Sequence, residues 1–249
     1  MALTLSGGTT WIAVADGCND QVQAYHGSAW VTYGSGPAAT PTPGQFGQPQ
    51  GVCFDPSGNL YAADWEGGVQ ELSGSSWTFL YVPTPGTSQF WNVASDPSGD
   101  IYASGPLGPQ KYVPGAPGTW SGIPSYPGTA CYGLAVDSSG SLFVGDSDND
   151  IYKFNGSVWS TFVGVGTGTG NGQFKLPAAI AVDGSGHVFA ADAGNNRIQE
   201  FDSSGSYLTQ FGNSGGPGQL SSPEGVAVDN QGNVYATNGG NIVVFSYVP

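Results

Sequence analysis

The sequence predicts an all-β protein, a six-bladed β-propeller whose last blade has three strands, and three observations carry that reading. Charged residues are only 9% of the chain, against roughly 25% in ordinary soluble domains, so the charged solvent faces that helices need are missing. Its 42 Gly and 18 Pro coexist with seven Trp, twelve Tyr and twelve Phe. The turn residues therefore punctuate a packed structure instead of a disordered polymer. Finally, a motif recurs with its turn aspartate at Asp55, Asp96, Asp137, Asp183 and Asp229, at intervals of 41, 41, 46 and 46 residues. That is the length of a propeller blade.

The units follow in order. Unit one is degenerate: Trp11-Ile-Ala-Val-Ala-Asp16 stands 48 residues before Asp64. Residues 3–5 can be its innermost strand or cross over as the missing outer strand of unit six, and the short hairpin-like link into Trp11 favours the first. Unit two carries Gly51-Val-Cys-Phe-Asp-Pro-Ser-Gly-Asn-Leu-Tyr-Ala-Ala-Asp64, and unit three carries Asn92-Val-Ala-Ser-Asp96 followed by Gly105 where the second aspartate would stand. Units four, five and six repeat the pattern from Gly133 to Asp146, Ala179 to Asp192 and Gly225 to Asn238. Unit five shows four strand candidates, at 179–183, 187–191, 197–201 and 207–211. Unit six shows a third strand at 241–245 with only 246–249 after it, hence the expected three-stranded blade. One propeller spanning 1–249, with no separable second domain, is the organisation that these units imply.

Asp-Pro-Ser-Gly at 55–58 and 96–99 puts Asp, Pro and Gly at the positions that a type I turn favours, so each repeat aspartate is expected to cap its own hairpin. Nine of the 18 acids occupy such repeat positions, the other four being Asp16, Asp64, Asp146 and Asp192. The inner strands read apolar on both faces, as in Ile180-Ala-Val182 and Val226-Ala-Val228, as expected for a strand covered on both sides. Their middle residues, Cys53, Ala94, Ala135, Ala181 and Ala227, are small, which suits convergence of the blades and makes Cys53 a structural thiol. On the outer hairpins Trp30, Trp77, Trp120, Trp159 and Tyr207 recur and read as packing wedges. The three cysteines form neither a disulfide framework nor a CxxC metal pattern.

Composition excludes several functions. Four Lys and Arg against 18 acids give a net charge of -14, which excludes nucleic-acid binding by clustered cations and disfavours anionic lipid. No apolar run approaches the ~20 residues of a membrane span. Residues 1–8 show no secretory signal, while low charge and high Gly, Ser and Thr suit an exported protein, extracellular or periplasmic.

The units resemble NHL repeats, above all Asp183-Gly-Ser-Gly-His-Val-Phe-Ala-Ala-Asp192-Ala-Gly-Asn-Asn-Arg197-Ile-Gln-Glu-Phe201. Units one and three depart, the latter with Gly105-Pro-Leu-Gly-Pro109 in place of the second Asp and Asn-Arg. The resemblance implies a β-propeller but no particular activity. A similar family, the zinc-dependent amidating lyases, needs several channel histidines; here His26 and His187 stand in units that are not neighbours. Calcium-dependent lactonase-like propellers hold a metal with a Glu at the start of an inner strand, a feature that Glu224-Gly225 matches. Asn238 and Asp146 would have to complete that site, and one carboxylate with amides or carbonyls holds Ca²⁺ weakly. The run Asp146-Ser-Asp148-Asn-Asp150 lacks the Gly and distal Glu of an EF-hand loop and reads as a solvated acidic turn. The Gly-rich stretch 164–170 has no following helix and no cation near it, so it reads as a surface connector and not a phosphate cradle. A Ser-His-Asp arrangement finds no support.

In a propeller, the loop leading into the inner strand and the loop between the second and third strands share the usual ligand face. That face collects Gln50, Trp91, Tyr132 and Glu224 from the first kind of loop and Trp65, with Glu66, Asp148 and Asn241, from the second. The function expected is a non-enzymatic binding or scaffold propeller, with no cofactor, recognising a protein, peptide or saccharide at the channel mouth. The alternatives are a lactonase-like metal-dependent hydrolase with a channel Ca²⁺, and a subunit of an extracellular assembly. For the last, the apolar edge at 242–245 offers a route to self-association.

Overall fold

The computed structural model describes residues 2–6, 9–34, 42–81, 89–115, 120–213, 215 and 218–246, and for residues 2–6, 9, 10 and 26 the backbone only. The fold is a nearly all-β six-bladed propeller, and the chain divides into two compact units, Met1–Pro124 and Ser125–Pro249, of three blades each. In the first unit, blade one holds β1 (Ala2–Ser6), β2 (Thr9–Asp16), β3 (Gln21–His26) and β4 (Trp30–Tyr33). Blade two holds β5 (Pro49–Phe54), β6 (Leu60–Asp64), β7 (Gly68–Ser73) and β8 (Ser76–Tyr81). Blade three holds β9 (Asn92–Ser95), β10 (Ile101–Ser104), β11 (Gln110–Tyr112) and β12 (Trp120–Gly122). In the second unit, blade four runs β13 (Cys131–Val136), β14 (Leu142–Asp146), β15 (Ile151–Phe154) and β16 (Trp159–Val163). Blade five runs β17 (Pro177–Val182), β18 (Val188–Asp192), β19 (Arg197–Phe201) and β20 (Tyr207–Phe211). Blade six has only β21 (Val226–Val228), β22 (Val234–Asn238) and β23 (Asn241–Phe245).

Each blade is an antiparallel meander, and β1 pairs with β2 as the inner strand of blade one, as expected. The first hairpin of blades two to six is set by its aspartate. Asp55 Oδ1 accepts the N–H groups of Ser57 and Asn59, both at 2.8 Å, and Asp96, Asp137, Asp183 and Asp229 accept two amides in the same way. The fourth turn residue must be glycine: Gly58, Gly99, Gly140, Gly186 and Gly232 all sit at φ of 84° to 86°, the left-handed region that a side chain resists.

Packing is between neighbouring blades of a unit. Phe46 is buried with Ala13, Val22 and Ala24 of blade one and Val52, Leu60 and Ala62 of blade two. Phe90 does the same between blades two and three, Phe174 between four and five, and Leu220 between five and six. The outer aromatics wedge against these layers. Trp77 meets Tyr33 edge-on at 5.5 Å and Phe46 at 5.1 Å, Trp120 lies 5.6 Å from Phe90, and Trp159 lies 5.0 Å from both Tyr126 and Phe154. Such pairs add about 0.5–1.5 kcal/mol each beyond area burial. Cys53 and Cys131 are buried thiols. Among the described residues no helix is long and apolar enough to cross a membrane.

Candidate binding face

One end of each blade carries the start of the inner strand and the loop between the second and third strands, because the two strands run antiparallel. Two recurring hydrogen bonds build this end. In the first, the residue that closes the second strand captures a backbone amide 17 positions upstream. Gly47 N–H donates to Asp64 at 2.9 Å, Lys175 N–H to Asp192 at 2.8 Å, and Ser221 N–H to Asn238 at 2.7 Å. In the second, Asp20, Asn149 and Asn196 accept the N–H of Gln48, Leu176 and Ser222 in the following blade, at 2.9, 2.7 and 2.8 Å. Acceptor and donor residues alike are left-handed, with φ of 54°, 69° and 57° for the acceptors and 78°, 66° and 47° for the donors. Asp and Asn tolerate that conformation better than other side chains. The sequence reading missed this stitch, whose signal is an Asx three or four residues after the second-strand Asp.

The junction between blades two and three lacks the stitch. Its second-to-third loop reads Trp65-Glu66-Gly67-Gly68, with no Asx side chain, and the following blade starts Gln89-Phe90-Trp91-Asn92. Here Trp65 stacks on Trp91 instead, ring centroids 5.9 Å apart and planes 24° from parallel, both residues half-buried. Backbone bonds fix their positions: Trp65 N–H donates to Gln48 O at 3.1 Å and Trp91 N–H to Ser104 O at 3.0 Å. Beneath them Gly51 lies so close to blade three that a Cβ would fall 2.7 Å from the Asn92 Cα, which forbids any side chain. Gln50 sits in the β-bulge between Pro49 and Gly51 and is exposed; a bulge re-aims the side chain it inserts. Asp64, buried at the base of the same loop, has its carboxyl pushed up to about 6 by burial, against the pull of the Gly47, Glu66 and Gly67 amides. The structure thus brings together Trp65 and Trp91, with Gln50 next to Gly51.

The second unit carries Tyr132 and Glu224. Tyr132 is half-buried in the bulge between Cys131 and Leu134, the position equivalent to Gln50. Glu224 is exposed, and its N–H donates to Thr237 Oγ1 at 3.1 Å. Blade four also departs from the repeat, with Gly128 where blade two has Phe46. A Cβ on Gly128 would lie 2.4 Å from Asp146 Oδ2 and 2.6 Å from Tyr126 Oη, two buried atoms with no hydrogen-bond partner. Burial pushes both groups up, with Cys131 and Asp146 adding for Tyr126 and Asp148 and Asp150 adding for Asp146.

The remaining candidates have structural duties. Asp146 Oδ1 accepts the Asp148 and Asp150 amides, so the acidic run is a capped turn. Asn238 uses its oxygen on Ser221 and its amide nitrogen on Gln219 O, so both ends of its side chain serve the lead-in to β21. Among the described residues no group of three or more His, Cys, Asp or Glu could hold a metal ion. His187 contacts Asp183 at 3.1 Å and Glu200 at 3.8 Å; the His26 side chain lies outside the described residues. The expectation that no cation stands near 164–170 is overturned, because Arg197, remote in sequence, donates to Thr169 O and Gly170 O. Its other bonds go to Asp192, Gln210 and Gln173, so all five N–H donors have acceptors and none remains for a phosphate.

The NHL repeat profile matches residues 174–201, the lead-in and first three strands of blade five, and the N-terminal strictosidine synthase-like profile matches 216–245 in blade six. The fold is a β-propeller, and blade five carries an NHL repeat. No curated protein sequence matches it. The propeller is similar to solved structures at 13–15% identity, which shows the fold alone. A catalytically inactive virginiamycin B lyase from Staphylococcus aureus with quinupristin gives a TM-score of 0.71 at 13% identity over 98% of this chain and 78% of that one. A gluconolactonase from Xanthomonas campestris gives 0.72 at 14% over 94% and 81%, and a nidogen/laminin complex gives 0.71 at 15% over 95% and 88%.

Proposed function

We propose that this propeller is a non-enzymatic binding or scaffold protein, and that the stacked Trp65 and Trp91 with Gln50 form part of its recognition surface. The observation that carries this reading is the indole pair itself: it breaks the repeat, replaces a hydrogen-bonded stitch, and stays half-exposed on the face where propeller loops gather. Large, rigid aromatic surface binds with little loss of side-chain entropy. The ligand class is a neutral or cationic protein, peptide or saccharide, because a net charge of -14 repels anions. Tyr132 and Glu224, half-exposed and exposed lead-in residues, are contact candidates of the second unit in their own right. Composition supports an extracellular or periplasmic setting, and the nidogen/laminin complex is a neighbour of similar fold with a protein partner. The hydrolase alternative would need a metal donor set around Glu224, and among the described residues no group of three or more His, Cys, Asp or Glu could hold a metal ion.

The test is indole fluorescence titration against a panel of neutral oligosaccharides and of uncharged and cationic peptides. For the probe that binds best, Trp91→Ala and Trp65→Ala should each weaken binding by about 1 kcal/mol or more. If both variants lose stability but keep their affinity, the pair serves only to replace the missing stitch. Stoichiometric calcium retained after dialysis would favour the hydrolase reading.

A further inference from the structure

Among the described residues blade six holds β21, β22 and β23, and no strand pairs with the outer edge of β23. That edge reads Asn-Ile-Val-Val-Phe, with Val244 48% exposed. It has none of the devices that normally blunt an edge strand: no charge, no proline, no bulge. The five complete blades define what belongs beside it. In each, the fourth strand places an aromatic residue opposite the last large residue of the third strand: Trp30 opposite Tyr25, Trp77 opposite Leu72, Trp120 opposite Tyr112, Trp159 opposite Phe154 and Tyr207 opposite Phe201. In four of them a threonine follows within two residues, and the far end closes with Tyr33, Tyr81, Val163 or Phe211 against an aliphatic residue of the third strand. None of the five fourth strands carries a charge. In β23, Phe245 and Ile242 stand at the two ends that this rule addresses, and Phe245 already packs 5.4 Å from Phe211 of blade five.

We infer that β23 accepts, antiparallel and in this register, one uncharged extended segment of a separate polypeptide, its leading aromatic residue opposite Phe245 and its closing apolar residue opposite Ile242. This is recognition by strand addition, in which the backbone ladder supplies affinity and alternate side chains supply selectivity. A second copy fits poorly. Every described strand that obeys the rule already completes its own blade, a copy brings another -14 of charge, and a five-residue strand pair buries far less than the roughly 1,200 Å² of a stable interface. The inference is independent of the Trp65 and Trp91 reading.

The experiment uses the whole protein and a labelled synthetic peptide copying residues 205–212, this chain's own fourth strand from blade five. Anisotropy should show saturable binding by the millimolar range, and hydrogen exchange of amides 241–245 should slow when the peptide is bound. Val244→Lys, at an exposed position, should keep the melting midpoint and weaken binding at least about tenfold, since an edge lysine opposes strand addition. The peptide carrying Thr209→Pro should also fail, whatever the fate of the protein variant. Four results would overturn the inference. Binding may be absent, or it may be indifferent to both changes. Amides 241–245 could prove protected in the free protein at every concentration, which would mean that the edge is covered by its own chain. Or a concentration-dependent dimer could vanish with Val244→Lys, which would mean that a second copy is the occupant.

Discussion

At Asp64, burial and hydrogen bonding pull a carboxyl in opposite directions. Burial wins and raises it from 3.8 to about 6. Below about pH 4 the group is neutral in both the folded and the unfolded chain; between 4 and 6 the folded state keeps a proton that the unfolded chain releases. Its contribution to stability is therefore full in acid and falls as pH rises through 6. Blade six shows how the same job is done without charge, by Asn238 on Ser221. Asp64→Asn should accordingly melt within about 1 kcal/mol of the native protein at pH 7, whereas Asp64→Ala, which strands the Gly47 amide, should cost about 1–3 kcal/mol. Thermal melts from pH 4 to 7 check the sign: native stability relative to Asp64→Asn must decline as pH rises, and a flat or rising difference would contradict the buried, proton-retaining carboxyl.

Among the elements, the connector between β16 and β17 depends most on one side chain. Arg197, 3% exposed, binds Asp192 at 2.8 Å and three carbonyls of residues 169–173. Removing one partner of such a buried pair leaves the other charged and unmatched, so Arg197→Ala is expected to lower urea-melt stability by about 3–5 kcal/mol. Limited proteolysis should then cut first within 164–173, and an unchanged midpoint with an intact connector would refute the clamp. Why this was hidden while the hairpins were legible is a matter of range. Asp55 and its equivalents bind amides two and four residues away, so spacing alone reveals them. Arg197 reaches its connector carbonyls across 24 to 28 residues, and the Asx stitch spans 26 to 28 and depends on left-handed backbone angles that no composition displays. Trp65 and Trp91 stood out separately, as loop residues of the ligand face. Their stacking follows from the glycine contact at Gly51, which brings the blades together.

At the scale of the whole molecule, five of the six repeats were readable because their turn aspartates count them, and the first because Asp16 stands 48 residues before Asp64. The division into units of three blades was not, since composition does not change at residue 124. We propose that the units unfold together. Calorimetry should give one transition whose calorimetric and van't Hoff enthalpies agree; two transitions assignable to 1–124 and 125–249 would show two domains. The amide captured 17 positions upstream also acts as a ruler. From the buried plug residue to the turn aspartate there are nine positions in blades two, five and six (Phe46 to Asp55, Phe174 to Asp183, Leu220 to Asp229), but six in blade three, from Phe90 to Asp96, where Gly105 offers no carboxylate to measure against. Length is thus held constant wherever the ruler exists, whereas the intervals between an outer strand and the next plug vary, with 13 positions from Tyr33 to Phe46 and nine from Phe211 to Leu220. Those intervals are where this architecture leaves room for inserted sequence, new loops on an unchanged frame.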